Sequence, residues 1–133
     1  MQKTFTFYSD PAHGWVKTSK ALLKELGIAD LISSYSYERG TDAYLEEDCD
    51  ASLLVRKLQE LGIEPKFVYK YADRNSKIRG YESYTYLTDA EENELAQLKL
   101  RMRNYTHWAS KTQRDINKAG LETMRYWQTV YNF

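Results

Sequence analysis

Apolar and polar positions alternate as soon as the chain begins. Residues 4–8 put Phe5 and Phe7 on one side of an extended segment and Thr4, Thr6 and Tyr8 on the other, the period of a half-buried strand. Asp10, Pro11, Ala12, His13 and Gly14 cannot continue it, because proline lacks a backbone donor and Pro and Gly punctuate turns, so a loop is expected. The period then becomes helical. Leu22, Leu23 and Leu26 form a stripe behind Thr18 or Ser19 as N-cap, and Gly27 stands where a left-handed residue closes a helix, predicting a helix over 19–26. Residues 31–37 carry Tyr35 and Tyr37 on one face; with a turn at 38–42 and a return over 43–47 they read as a hairpin. Leu53, Leu54, Leu58 and Leu61 recur at helical spacing between Asp50 and Gly62, and beyond Pro65 the alternation of Phe67, Tyr69 and Tyr71 predicts another strand. The run LKELGI at 23–28 returns as LQELGI at 58–63: in both, Gly reverses the chain and Ile packs back on the helix end. The resulting βαββαβ order is that of a ferredoxin-like α+β unit, expected to occupy residues 1–87.

After residue 72 the texture changes. Residues 73–79 are polar and basic, and 80–87 alternate enough for an edge strand or an ordered loop. Thr88 and Glu91 form a capping box, followed by acids at 89, 91, 92 and 94 and cations at 99, 101 and 103, the charge order a helix dipole favours. Leu95, Leu98, Met102, Tyr105, Ala109, Thr112, Ile116, Ala119, Thr123, Tyr126, Val130 and Phe133 then recur at spacings of three and four. Residues 88–133 are thus expected as a long helical C-terminal segment. It is either one helix or a helical hairpin broken near 118–120, with Gly120 as the residue just past a helix end and Leu121 as its apolar neighbour. A small α/β unit cannot cover such a stripe. Leu95, Leu98, Met102, Tyr105, Ile116, Tyr126 and Val130 are therefore expected as a seam for a second copy, giving a homodimer, or for a partner protein.

Composition narrows the classes. The 133 residues suit one core, and 19 basic against 19 acidic residues leave no net charge to steer the chain toward nucleic acid or an acidic membrane. A strongly acidic DNA mimic is excluded on the same ground. One cysteine forbids an internal disulfide, no apolar run reaches the length of a spanning helix, and the first residues are too polar for a signal peptide. The expected compartment is the cytoplasm of the host cell. Twelve tyrosines are unusual, and suit half-exposed sheets and interfaces, where a ring is buried and its hydroxyl stays wet.

Candidate chemistry sits in three places. The run EEDCD at 46–50 admits a metal reading, in which Glu46, Asp48 and Asp50 supply oxygens to Mg²⁺ or Mn²⁺ for a metal-dependent nuclease or nucleotide hydrolase. It admits a nucleophile reading, Cys49 with His13 as base. The third and blander reading is the expected one: Asp48 or Asp50 caps the second helix and Cys49 packs as a small apolar residue. His13 and Trp15, together in a loop, suit stacking on a base or gripping a partner, and Arg74, Lys77 and Arg79 suit a phosphate; the alternatives are a structured turn organised by Asp10 and a solvated basic loop. Arg79, Gly80 and Tyr81 resemble the start of an RNA-recognition signature that Glu82 and Ser83 break, while binding of single strands on a tyrosine-lined sheet stays open. No complete catalytic set is evident.

The stretches FYSDPAHGW at 7–15, SYSY at 34–37, YLEEDCD at 44–50 and SKIR at 76–79 together resemble a family of small phage, prophage and plasmid proteins with no established activity. The likeness spans 5–85. It carries no catalytic role over to any residue. It implies a non-enzymatic accessory protein of a mobile element that binds and inhibits a host protein or nucleoprotein, such as a defence complex in the manner of an anti-CRISPR. The segment from 86 onward lies outside the likeness and is where a partner-specific addition would sit.

Overall fold

Phe5 and Phe7 face the core from β1 (Gln2–Ser9) in the computed structural model, which describes residues 1–109 and 113–133, the side chains of 106–109 excepted. The chain divides into two units, Met1–Tyr86 and Leu87–Phe133.

In the first unit, residues 10–13 form a tight turn instead of a loop leading to a helix. Beyond them β2 (Gly14–Ser19) returns antiparallel to β1, pairing Ser9 with Gly14 and Thr6 with Lys17. The alternation that would have announced β2 is hidden, because Trp15, Val16 and Thr18 are all buried. Helix α1 (Lys20–Glu25) is capped by Ser19, whose Oγ accepts from Leu22 N–H at 3.0 Å. Helix α2 (Ala51–Glu60) ends as α1 does. Ile28 N–H donates to Leu23 O and Gly27 N–H to Lys24 O; Ile63 N–H donates to Leu58 O and Gly62 N–H to Gln59 O. Both glycines are left-handed, with φ of +74° and +73°, so the repeated sequence is one Schellman cap used twice.

The expected strand over 31–37 shrinks to β3 (Tyr37–Arg39), preceded by a short 3-10 turn at Ala29–Leu31. The cause lies in Asp50, whose buried carboxylate accepts from Ser33 N–H, Ser33 Oγ and Ser36 Oγ. With Ser33 N–H bound to Asp50, that backbone donor is lost to a ladder. After β4 (Asp42–Glu46) and α2, β5 (Glu64–Tyr71) pairs parallel to β1. A 3-10 turn, Lys77–Gly80, precedes the two-residue edge strand β6 (Glu82–Ser83). The product is a six-stranded mixed sheet in the order β5-β1-β2-β4-β3-β6. The insertion of β2 between β1 and α1 turns the expected βαββαβ into ββαββαββ, and the unit is a mixed α/β fold.

One sheet face is covered by α1 and α2. Phe5, Val16 and Leu45 pack there against Leu23, Leu26, Leu54 and Leu58. The opposite face carries a separate cluster of Trp15, Tyr44 and Ile78, with Tyr8, Tyr37 and Tyr81 against it.

The second unit contains α3 (Asp89–Ala109), α4 (Gln113–Lys118) and α5 (Leu121–Tyr131). The capping box forms: Glu91 N–H donates to Thr88 Oγ1 at 3.2 Å and Thr88 N–H to Glu91 Oε1 at 3.0 Å. The chain breaks near 118–120, as one of the two readings had it. Gly120, however, is extended (φ −81°) and is the N-cap of α5, not a left-handed helix end. The stripe folds onto itself, with Leu98, Met102, Ile116, Ala119, Leu121 and Met124 buried together and Leu95 and Tyr105 packed against them. Much of the seam that called for a second copy is therefore covered within the chain, leaving Tyr126 and Val130 exposed. Thr112 and the side chain of Ala109 lie outside the described residues. Among the described residues no helix is long and apolar enough to cross a membrane.

Candidate functional site: two clefts on the aromatic face of the sheet

Strand register decides which side chains share the face opposite the helices. One row across the sheet runs Lys70, Tyr8, Trp15, Glu46; the next runs Val68, Thr6, Lys17, Tyr44, Tyr37. Asp42 pairs with Arg39 one row further on. Residues 76–81 lie over these rows, with Ile78 buried against Trp15 and Tyr44, and contribute walls to two clefts.

Asp10 holds that segment down. Its carboxylate accepts from Ala12 and His13 N–H at 3.0 and 2.9 Å, from Ser76 N–H at 3.0 Å, and from Arg79 through Nε at 2.7 Å and Nη2 at 2.9 Å. The bidentate guanidinium, aided by the backbone donors, holds the Asp10 carboxyl well below the usual carboxylate range, and Arg79 is raised in turn. Arg79 also lies over the Trp15 ring, 5.5 Å from its centroid. Stretches at 10–15 and 76–79 are thus joined by one ion pair, and the charge of Arg79 is committed to it. Of the other two basic candidates, Lys77 lines the larger cleft; Arg74 is exposed and lines neither.

The larger cleft, about 450 Å³, has walls of Tyr8, Tyr44, Tyr81 and Ile78, with Lys17, Arg39 and Lys77 around it and Asp42 as its acid. The rings of Tyr44 and Tyr81 are 5.1 Å apart and those of Tyr8 and Tyr44 6.1 Å. Arg39 sits 5.0 Å over the Tyr81 ring and donates to its hydroxyl at 3.1 Å. Burial, with Tyr81 and Asp42 nearby, pushes the Tyr44 hydroxyl up to about 12, so it stays a neutral donor.

The smaller cleft, about 340 Å³, is lined by His13, Trp15, Tyr35, Tyr37, Glu46, Asp48, Cys49 and Arg79. Here the acidic run separates into two roles. Asp50 turns inward to Ser33 and Ser36, and Ser36 Oγ in turn accepts from Glu46 N–H at 3.0 Å. Asp50 is therefore a buried organiser of the loop before β3, not a partner of Glu46 and Asp48 in a metal set. It occupies the N-cap position of α2 without a side-chain capping bond. His13 takes the vacated place beside Glu46 and Asp48. Cys49 shares the cleft with His13, but Glu46, which accepts from the thiol, and the acids around it raise its pKa, the opposite of what a nucleophile needs.

Sequence reasoning named His13, Trp15, Glu46, Asp48, Lys77 and Arg79, set Tyr81 aside with the broken RNA-recognition signature, and passed over Tyr8, Lys17, Arg39 and Tyr44. Part of the signal was present in the polar phase of the strands, where Tyr8, Lys17, Arg39 and Tyr44 stand, whereas Tyr81 lies outside the strands. No family model, curated protein or solved structure matches the chain.

Proposed function

We propose that the protein is a non-enzymatic binding module whose sheet face takes a nucleotide, free or as one unit of a single strand, and that it acts stoichiometrically on a host nucleoprotein. The carrying observation is the larger cleft, where three tyrosines meet Lys17, Arg39 and Lys77. Tyrosine rings offer sequence-tolerant stacking to a base, and cations set around them neutralise its phosphate. The volume falls in the range of small-ligand sites. Zero net charge is compatible with this, because the basic groups are gathered locally. The likeness to small proteins of mobile elements supports the stoichiometric setting.

Anisotropy titration of a labelled single-stranded oligonucleotide, beside calorimetry with AMP, tests the reading. Saturable binding is expected, weakened in Tyr81→Ala by about 1–3 kcal/mol, the worth of one stacked base. Arg39→Gln and Lys77→Gln should each flatten the salt dependence by roughly 0.7 in log–log slope, one phosphate contact apiece. An oligonucleotide that binds much tighter than AMP identifies a strand as the ligand; equal affinities identify the free nucleotide. If neither binds, the reading fails.

A further inference from the structure

The β1–β2 turn, the end of β4 and the turn into α2 bring His13, Glu46 and Asp48 to one edge of the aromatic face. A ligand atom from each lies within 4.8 Å of the other two, and His13 Nδ1 is 3.9 Å from Glu46 Oε1. Ligands bound about 2.1 Å from one cation stand at most about 4.2 Å apart, so the set needs only a small closure.

Its members are held from behind. Asp10 fixes the backbone of His13, Ser36 Oγ fixes that of Glu46, and Asp48 N–H donates to Glu46 Oε2 at 3.0 Å, leaving Oε1 as the oxygen near His13. A second observation comes from the wall of the same cleft. Trp15 is 2% exposed there, with its ring 6.2 Å from that of His13.

We infer that His13, Glu46 and Asp48 form a site for a first-row divalent cation, beside the ring of Trp15. One nitrogen and two carboxylate donors suit Mn²⁺, Fe²⁺, Co²⁺ or Zn²⁺. Three protein ligands leave coordination positions for exchange, and half-exposed His13 leaves them reachable. The site stands on its own residues and does not depend on the nucleotide reading.

Calorimetric titration of Mn²⁺ into the full chain, with Trp fluorescence recorded in parallel, is the test. One ion per chain is expected, with quenching of Trp emission. His13→Gln and Glu46→Gln should each weaken binding at least tenfold, His13→Asp should restore much of it, and Arg74→Gln, outside both clefts, should leave it unchanged. Absence of saturable uptake overturns the site. So does uptake that survives both His13→Gln and Glu46→Gln. His13 is an exposed turn residue, so its variants remain informative even if Glu46→Gln disturbs the turn.

Discussion

The two units of this chain dispose of their apolar surplus differently. In Leu87–Phe133 the stripe is spent on self-burial: Leu98, Met102, Ile116 and Met124 close on one another. In Met1–Tyr86 the sheet has two faces and the helices cover one, leaving the other to tyrosines, cations and a His-carboxylate group. A helix whose polar residues all face water presents a convex surface. A half-covered sheet crossed by a loop makes hollows, which is why both clefts described here belong to the first unit.

The hardest blow to this contrast is a cavity in either core. Leu58 and Met102 are both fully buried, and Leu58→Ala or Met102→Ala should each cost about 2–5 kcal/mol in denaturant unfolding. Their functional consequences should differ. Under conditions where each variant is folded, Met102→Ala should bind AMP and Mn²⁺ as the parent does. Weakened binding by folded Met102→Ala would show that the helical unit takes part in the sites.

A second test uses acid. The Asp10 carboxyl is held below its unfolded value, so the folded state resists its protonation. That stabilisation is complete above pH of about 4, the unfolded carboxylate range, and is lost as pH falls through and below it. The stability gap between the parent and Asp10→Asn should therefore be wide at neutral pH and narrow steadily between about pH 4 and 2. A gap that is constant with pH would mean that the Arg79 pair contributes nothing by charge. Because the same carboxylate fixes His13 and Arg79, Asp10→Asn should also weaken Mn²⁺ binding.

Much of this architecture was legible in the residues themselves. The Ser19 cap, the doubled glycine helix ends, the Thr88 capping box and the alternation in β1 and β5 are local signals, and each formed where local chemistry put it. What escaped was non-local. The burial of Trp15, Val16 and Thr18 erased the period of β2, and with it the sheet order. Asp50 was grouped with Glu46 and Asp48 by adjacency, although a turn points it to Ser33 and Ser36, 17 and 14 positions away. His13 and Arg79 acquired their neighbours only through strand pairing and the Asp10 bridge, which no spacing along the chain encodes.

The finest test of the contrast concerns a cap. Helix α3 opens the second unit, and its first turn depends on the reciprocal bonds between Thr88 and Glu91. Thr88→Ala removes the acceptor for Glu91 N–H and should cost about 1 kcal/mol. The bonds to Thr88 also hold the Glu91 carboxyl below its ordinary value, chiefly the one from the backbone N–H of residue 88, which alanine keeps, so in the variant its titration should move up only in part. The bond lost is one from a backbone N–H to a neutral hydroxyl, so the cost should vary little with pH. Binding of AMP and Mn²⁺ should not change at all, since every residue invoked for either ligand lies between Tyr8 and Tyr81.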